Sequence, residues 1–168
     1  MNVNDQQELF CQVDKNDKLI GPIPRFIAHS HPKYIHRSIC ILVLNDKKEL
    51  LLQKRSADKD TYPEYWTLST TGHVTHGQTY LQAAKRELLE EVGLTNSLKR
   101  ITKLFLPLSN ETEYSTIYQT KIIFETVRFN PEEISDIAWV NITRLSTFIS
   151  KNSVTPDALL VLQALKYL

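Results

Sequence analysis

Between Thr79 and Gly93 the chain carries a start signal, a repeat and a stop signal for one helix, and no other stretch restricts the fold as tightly. Thr79 and Gln82 form a T-x-x-Q capping box, in which the two side chains accept from backbone N–H groups that the first turn leaves unpaired. Leu81, Ala84, Leu88 and Val92 recur at helical spacing, and Gly93 offers the left-handed backbone that closes many helices. With Leu81 set at zero, Leu88 and Val92 fall within about 20° of it and Ala84 about 60° to one side. These residues predict a helix that packs on a core through Leu81, Ala84, Leu88 and Val92.

On the same count Glu90, Glu87 and Glu91 lie at about 180°, 240° and 280°, three carboxylates along one arc. Like charges at this spacing cost about a few tenths of a kcal/mol per pair unless a cation neutralises them. Arg86 offsets only part of that repulsion. Hard divalent cations prefer carboxylate oxygen, and magnesium typically combines one or two carboxylates with substrate phosphates and water. Taken alone, an acidic triplet reads as a solvated helix face.

Size and charge bound the alternatives. A chain of 168 residues fits a single domain spanning 1–168. Its net charge of +1 lacks the basic excess that counterion-release binding needs, which argues against a nucleic-acid polymer as partner. The longest uninterrupted apolar run, Ile39 to Leu44, is far short of the roughly 20 residues of a membrane-spanning helix. The start MNVNDQQELF has neither the basic opening nor the apolar core of a secretory signal, and Cys11 and Cys40 lack metal or disulfide spacing. The expectation is a cytoplasmic protein with two buried thiols and no membrane partner. A homodimer is compatible with the sequence.

Elsewhere the pattern predicts a small hairpin, Leu9–Val13 with Leu19–Ile23, in an N-terminal extension over 1–36. A second, longer hairpin joins Arg37–Leu44 to Glu49–Arg55 around Asn45-Asp46-Lys47. Trp66–Ser69 reads as a short strand before the turn-prone Thr70-Thr71-Gly72. Ile101–Leu106 and Thr116–Val127 read as strands joined by a polar loop, Ser109–Ser115. Ile137–Val140 is a further strand, and Pro156–Leu168 a terminal helix opened by proline and aspartate. Strands and helices mix without strict alternation, so the class is α+β, a mixed sheet flanked by helices.

The string GHVTHGQTYLQAAKRELLEEVGL resembles the Nudix box of the Nudix hydrolases, G, five residues, E, seven residues, then R-E-U-x-E-E-x-G-U with U aliphatic. Gly72, Arg86, Glu87, Leu88, Glu90, Glu91, Gly93 and Leu94 fill every defined position but one; Gln78 stands where the box has its first glutamate. An amide there can accept a hydrogen bond but brings no charge and cannot act as a base. The resemblance implies an α/β/α sandwich and assigns Mg²⁺ or Mn²⁺ binding to Glu87, Glu90 and Glu91, with Arg86 bracing them. It also implies hydrolysis of a diphosphate linkage in a small molecule, a nucleoside diphosphate derivative.

VDKNDKLIG, IAHSHPKYIHR and LLLQKRSADKDTYPEYWTLSTTGH are similar to the Nudix branch that includes type I isopentenyl-diphosphate isomerase. That resemblance implies a second metal held by His29, His36 and His73 with the pair Glu111 and Glu113. It places Arg25, Arg55 and Lys59, beside Gly72, near the substrate diphosphate, although solvent exposure accounts for Arg55 and Lys59 as well. Tyr62 and Trp66 can stack on a ring or pack in the core. The isomerase has its catalytic cysteine immediately before the G-H pair, where this chain has Thr71, which argues against isomerisation. Isomerase-like chemistry and a non-catalytic diphosphate-binding module, suggested by Gln78, remain the alternatives.

Overall fold

The apolar run Ile39–Leu44 lies at the centre of the sheet, within β3 (Ile35–Leu44). Successive strand residues point to opposite faces. Ile39, Ile41 and Val43 therefore enter one core, shared with Ala84, Leu88 and Val92 of the carboxylate helix, while Cys40, Leu42 and Leu44 enter another, shared with Ala158, Val161 and Leu162. Two helical layers thus sandwich one mixed sheet.

The computed structural model describes residues 8–123 and 126–168. Its strands are β1 (Leu9–Val13), β2 (Leu19–Pro24), β3, β4 (Glu49–Arg55), β5 (Trp66–Leu68), β6 (Thr70–His73), β7 (Lys99–Pro107), β8 (Thr112–Lys121) and β9 (Ile134–Asn141). The helices are α1 (Arg25–Ala28), α2 (Tyr80–Val92), α3 (Leu145–Ile149) and α4 (Pro156–Ala164), with a 3₁₀ turn at Ile142–Arg144. β8 runs parallel to β3 along its whole length, and β7 pairs antiparallel with β8. β9 and β5 flank β4, and β1 links the first hairpin to β3 through Gln12 and His36. None of the described helices is long and apolar enough to cross a membrane.

Three expectations need correction. The second hairpin pairs only at Leu44 and Leu50, because β6, expected as a turn, takes the edge of β3 from Ser38 to Ile41. β3 and β4 consequently part just beyond their turn. The expected loop 109–115 already holds the start of β8, which ends at Lys121; Phe124 and Glu125 of the predicted strand lie outside the described residues. Leu81, finally, is 41% exposed.

That last point follows from the small residues of α2. Its buried set, Ala83, Ala84, Leu88, Glu91 and Val92, centres about 60° away from Leu81, on the side where the alanines let the helix approach the sheet. The rotation carries Glu91 into the core face, leaves Glu87 half-buried and turns Glu90 outward. Burying Leu88 alone contributes about 1.5–3 kcal/mol, more than the like-charge repulsion among the three acids. The ends form as expected: both halves of the capping box are made, and Gly93 is left-handed at φ 69°.

The β1–β2 turn is tied to the body by Asp17, whose carboxylate accepts from Arg37 Nε at 2.7 Å, from Tyr80 Oη at 3.0 Å and from Lys103. Burial alone would raise this carboxyl; the three donors outweigh it and hold its pKa below the usual range. A depressed acid stabilises the fold above its unfolded pKa, about 3.9, and that stability is lost as pH falls through the folded value. Asn tolerates the positive φ of residue 17, 60°, so Asp17→Asn isolates the charge. Chemical denaturation should show Asp17→Asn less stable by about 1–2 kcal/mol at pH 7, after discounting for solvent screening. The gap should close below pH 4, and a gap that is constant with pH would show that the charge contributes nothing.

Candidate active site

A cleft of about 860 Å³ opens where β3 and β4 part, walled by α2, by β6 and by the loop after β4. Glu87, Glu90 and Glu91 all line it, together with Arg86. Glu91 lies deepest, accepting from Gln53 Nε2 at 3.2 Å. Burial, reinforced by the charge of Glu87, pushes the Glu91 carboxyl up to about 8, and burial pushes Glu87 up to about 6. Such values mark carboxylates short of positive charge. Arg86 supplies some of it, 2.9 Å from Glu87 and 3.0 Å from Glu90, and donates to the His73 backbone carbonyl at 3.2 Å. Gly72 lies beneath Glu87, where a Cβ would come 2.3 Å from the Glu87 side chain and displace it.

The expected phosphate-binding cations also reach the cleft, in different states of neutralisation. Arg25 lies 3.2 Å from Asp60, and Lys59 pairs with Glu133. The Arg55 guanidinium donates to Thr61, at 2.9 Å to its carbonyl and 3.2 Å to its hydroxyl; among the described residues it forms no salt bridge. Burial lowers its pKa, the signature of a guanidinium lacking a close anion. Tyr62 lines the cleft, whereas Trp66 packs edge-on against Phe148 in the core. Gln78 is absent from the cleft lining, and its side-chain oxygen is buried without a hydrogen-bond partner.

At one end of the cleft, ligand atoms of His29, His36, His73 and Glu111 all lie within 4.8 Å of one another. The helix carboxylates form no such convergent set among the described residues. Glu111 Oε2 is 3.1 Å from His29 Nε2 and 3.5 Å from His36 Nε2, yet neither it nor His36 Nε2 makes an aligned hydrogen bond. Glu113 joins from the side, 3.4 Å from both His36 and His73. Burial opposes charge on His36, but its contacts to Glu111 and Glu113 lift it to about 9. The unpartnered His36 Nε2 and Glu111 Oε2, converging with His29 Nε2 and His73 Nε2, which lie 3.2 Å apart, make a three-imidazole, one-carboxylate donor set that fits a divalent ion of the zinc, cobalt or manganese type.

Strand pairing explains how these residues meet. Paired residues share a sheet face, so β6 and β8 set His73 and Ser115 beside Ser38 and Glu113 beside His36. Ser38 Oγ donates to Glu113 Oε2 at 3.1 Å. Phe10 of β1 is fully buried against all three imidazoles, stacked on His73 at 4.1 Å between ring centroids. The sequence reading missed Phe10, Gln53 and Asp157, which also lines the cleft. Period-two alternation in LFCQV could have put Phe10 on a buried face, but nothing local signals what it covers.

Sandwich, capped carboxylate helix and polar cleft together define the Nudix class of pyrophosphohydrolases. The model described as the NUDIX domain matches residues 34–161, and the chain belongs to that family, on a branch related to the isopentenyl-diphosphate isomerases. It is 36% identical over 149 residues to isopentenyl-diphosphate Delta-isomerase 2 of Photorhabdus laumondii, covering 85% of this chain and 82% of that protein. It is 31% identical to a prenyl-diphosphate phosphatase of Methanosarcina mazei, covering 82% and 81% respectively. In fold it resembles the crystal structure of DR0079 from Deinococcus radiodurans, at TM-score 0.80, 24% identity and coverage of 93% and 98%.

Proposed function

We propose that the chain hydrolyses a diphosphate linkage in a small molecule, a nucleoside diphosphate derivative, with Mg²⁺ or Mn²⁺ held by Glu87 and Glu91 and by Glu90 at the rim. The observation that carries this reading is the pair of carboxylates, buried Glu91 and half-buried Glu87, that face the same cleft as the unneutralised Arg55 and that burial raises above their usual range. A bound divalent ion supplies charge neutralisation for phosphate oxygens and orientation of the attacking water. Arg55 and Lys59 bind the diphosphate, Lys59 by leaving Glu133. Arg86 fixes Glu87 and the His73 carbonyl, which keeps the floor of the site rigid. One acid of the helix takes the proton as water attacks phosphorus and the bridging P–O bond breaks.

Isomerase-like chemistry is the second reading, favoured by the isomerase relatives and by the apolar wall of Leu106, Leu108 and Val161. It requires acid and base at the position of Thr71. The register neighbour of Thr71 is Cys40, a thiol that burial pushes well above its usual pKa, so no thiolate is offered there. The binding-module reading rests on Gln78, which does not line the cleft, and turnover decides it. The test is phosphorus NMR on nucleotide sugars, dinucleotides, nucleoside di- and triphosphates and prenyl diphosphates, with Mg²⁺, Mn²⁺ or chelator. Metal-dependent release of phosphate or a nucleotide is expected. Proton exchange into isopentenyl diphosphate without hydrolysis would put the isomerase reading in its place.

A further inference from the structure

The wall of the cleft built by β3, β8 and α4 sets polar groups beside the apolar Leu106, Leu108 and Val161. Cys40, Thr67, Ser115, Thr155 and Asp157 line it. Alternation along β3 and β8 builds half of this wall, since Cys40 and Ser115 follow Ser38 and Glu113 on the same sheet face. Helix α4 supplies the other half. It packs on that face through Ala158, Val161 and Leu162, and Pro156 in its first turn aims the chain so that Asp157 meets the cleft. The hydroxyls of Thr155 and Thr67 are bonded to each other at 3.0 Å, and Thr155 in turn hydrogen-bonds the Asp157 carboxyl.

Asp157 forms no salt bridge among the described residues; the charge of Arg55 and the Ala158 backbone N–H favour its anion, while Glu113 repels it. Burial pushes its carboxyl above the usual range. An acid in the first turn of a helix gains only about 0.3–1 kcal/mol from the helix dipole, and a surface position would deliver that without loss of solvent. Desolvating a carboxyl costs more than this unless a donor meets it. Asp157 and the hydroxyls of Thr67, Ser115 and Thr155 form a polar strip along this wall that can exchange hydrogen bonds with a ligand.

We propose that Asp157 is a specificity residue: it accepts a hydrogen bond from a hydroxyl or amino group on the non-phosphate part of the substrate, selecting polar, donor-bearing diphosphates over hydrocarbon ones. The assignment rests on the diphosphate-hydrolase reading and adds to it the residue that chooses the substrate. A hydrocarbon tail in this recess would bring no donor to the remaining lone pairs of Asp157, and a site built to receive a donor discriminates strongly against ligands that lack one.

The test compares wild type, Asp157→Asn and Asp157→Leu on ADP-ribose and on geranyl diphosphate with Mn²⁺. Wild type should prefer ADP-ribose. Asp157→Leu should lose about 100-fold in kcat/KM on ADP-ribose and not on geranyl diphosphate, with Asp157→Asn, which keeps an acceptor, in between. Equal losses on both substrates would make Asp157 merely structural, and a wild type that prefers geranyl diphosphate would overturn the assignment while leaving hydrolysis intact. Calorimetry with methylene-bridged analogues of both compounds reads the same choice without turnover. A wild type that hydrolyses neither compound but binds the ADP-ribose analogue more tightly, through Asp157, would remove the hydrolase reading and keep this one.

Discussion

Glu91→Gln should fold, gain stability and lose diphosphate hydrolysis by at least about 100-fold, the upper range for disturbing a metal's surroundings. Glutamine has the shape of glutamate and still offers an oxygen to Gln53 Nε2, so the buried hydrogen bond survives. What disappears is a carboxyl that burial lifts to about 8 in the metal-free protein. The sign matters. A carboxyl whose folded pKa lies above its unfolded value, about 4.3, binds its proton more tightly when folded, so it weakens the fold as pH rises from about 4 to 8. Metal-free wild type and Glu91→Gln should therefore unfold together near pH 4 and diverge by on the order of a few kcal/mol near pH 8, with the variant the more stable. Thermal melts with chelator check this, and assays with Mn²⁺ check the activity. A variant that is destabilised at pH 8, or that keeps full turnover, would show that Glu91 is not the buried anchor of the metal.

How much of this was readable from the sequence depends on how far apart the cooperating residues lie. The limits of α2 were legible because capping box, apolar spacing and left-handed glycine all act within one turn of their targets. Its burial was less so: the alanines, not Leu81, set the face that meets the sheet, and this decides that Glu91 is buried and Glu90 exposed. β8 was expected only from Thr116, since Glu113 and Ser115 break the apolar alternation of its inward face, and those polar residues are the ones that build the site. The histidines came from family resemblance, because spacing alone does not bring His29, His36 and His73 together; three different parts of the fold do. Phe10, behind the histidines, and Asp157, in the cleft wall, come from the two ends of the chain, and no local pattern links them to the site.

The same distance in sequence gives the histidine cluster a test that owes nothing to catalysis. An ion that binds the folded protein alone stabilises it by RT ln(1 + [L]/Kd), about 2.7 kcal/mol at a hundredfold excess over Kd. For a chain of this size that corresponds to a rise in Tm of roughly 5–10 °C. Three imidazoles favour zinc or cobalt over magnesium, which prefers oxygen, so Zn²⁺ or Co²⁺ should produce the rise and Mg²⁺ should not produce it through this cluster. Glu111→Gln keeps the volume of the side chain but removes the anion that His29, His36 and His73 all face, within 3.9 Å. It should abolish most of the shift, along with the visible spectrum of cobalt bound to nitrogen and oxygen. Glu91→Gln, on the helix that carries the other carboxylates, should leave both signals in place. If Glu111→Gln responds to Zn²⁺ as wild type does, the converging lone pairs of His36 and Glu111 are a packing outcome and not a metal site. If Glu91→Gln removes the shift, the ion sits on α2, and the two halves of the cleft are one centre.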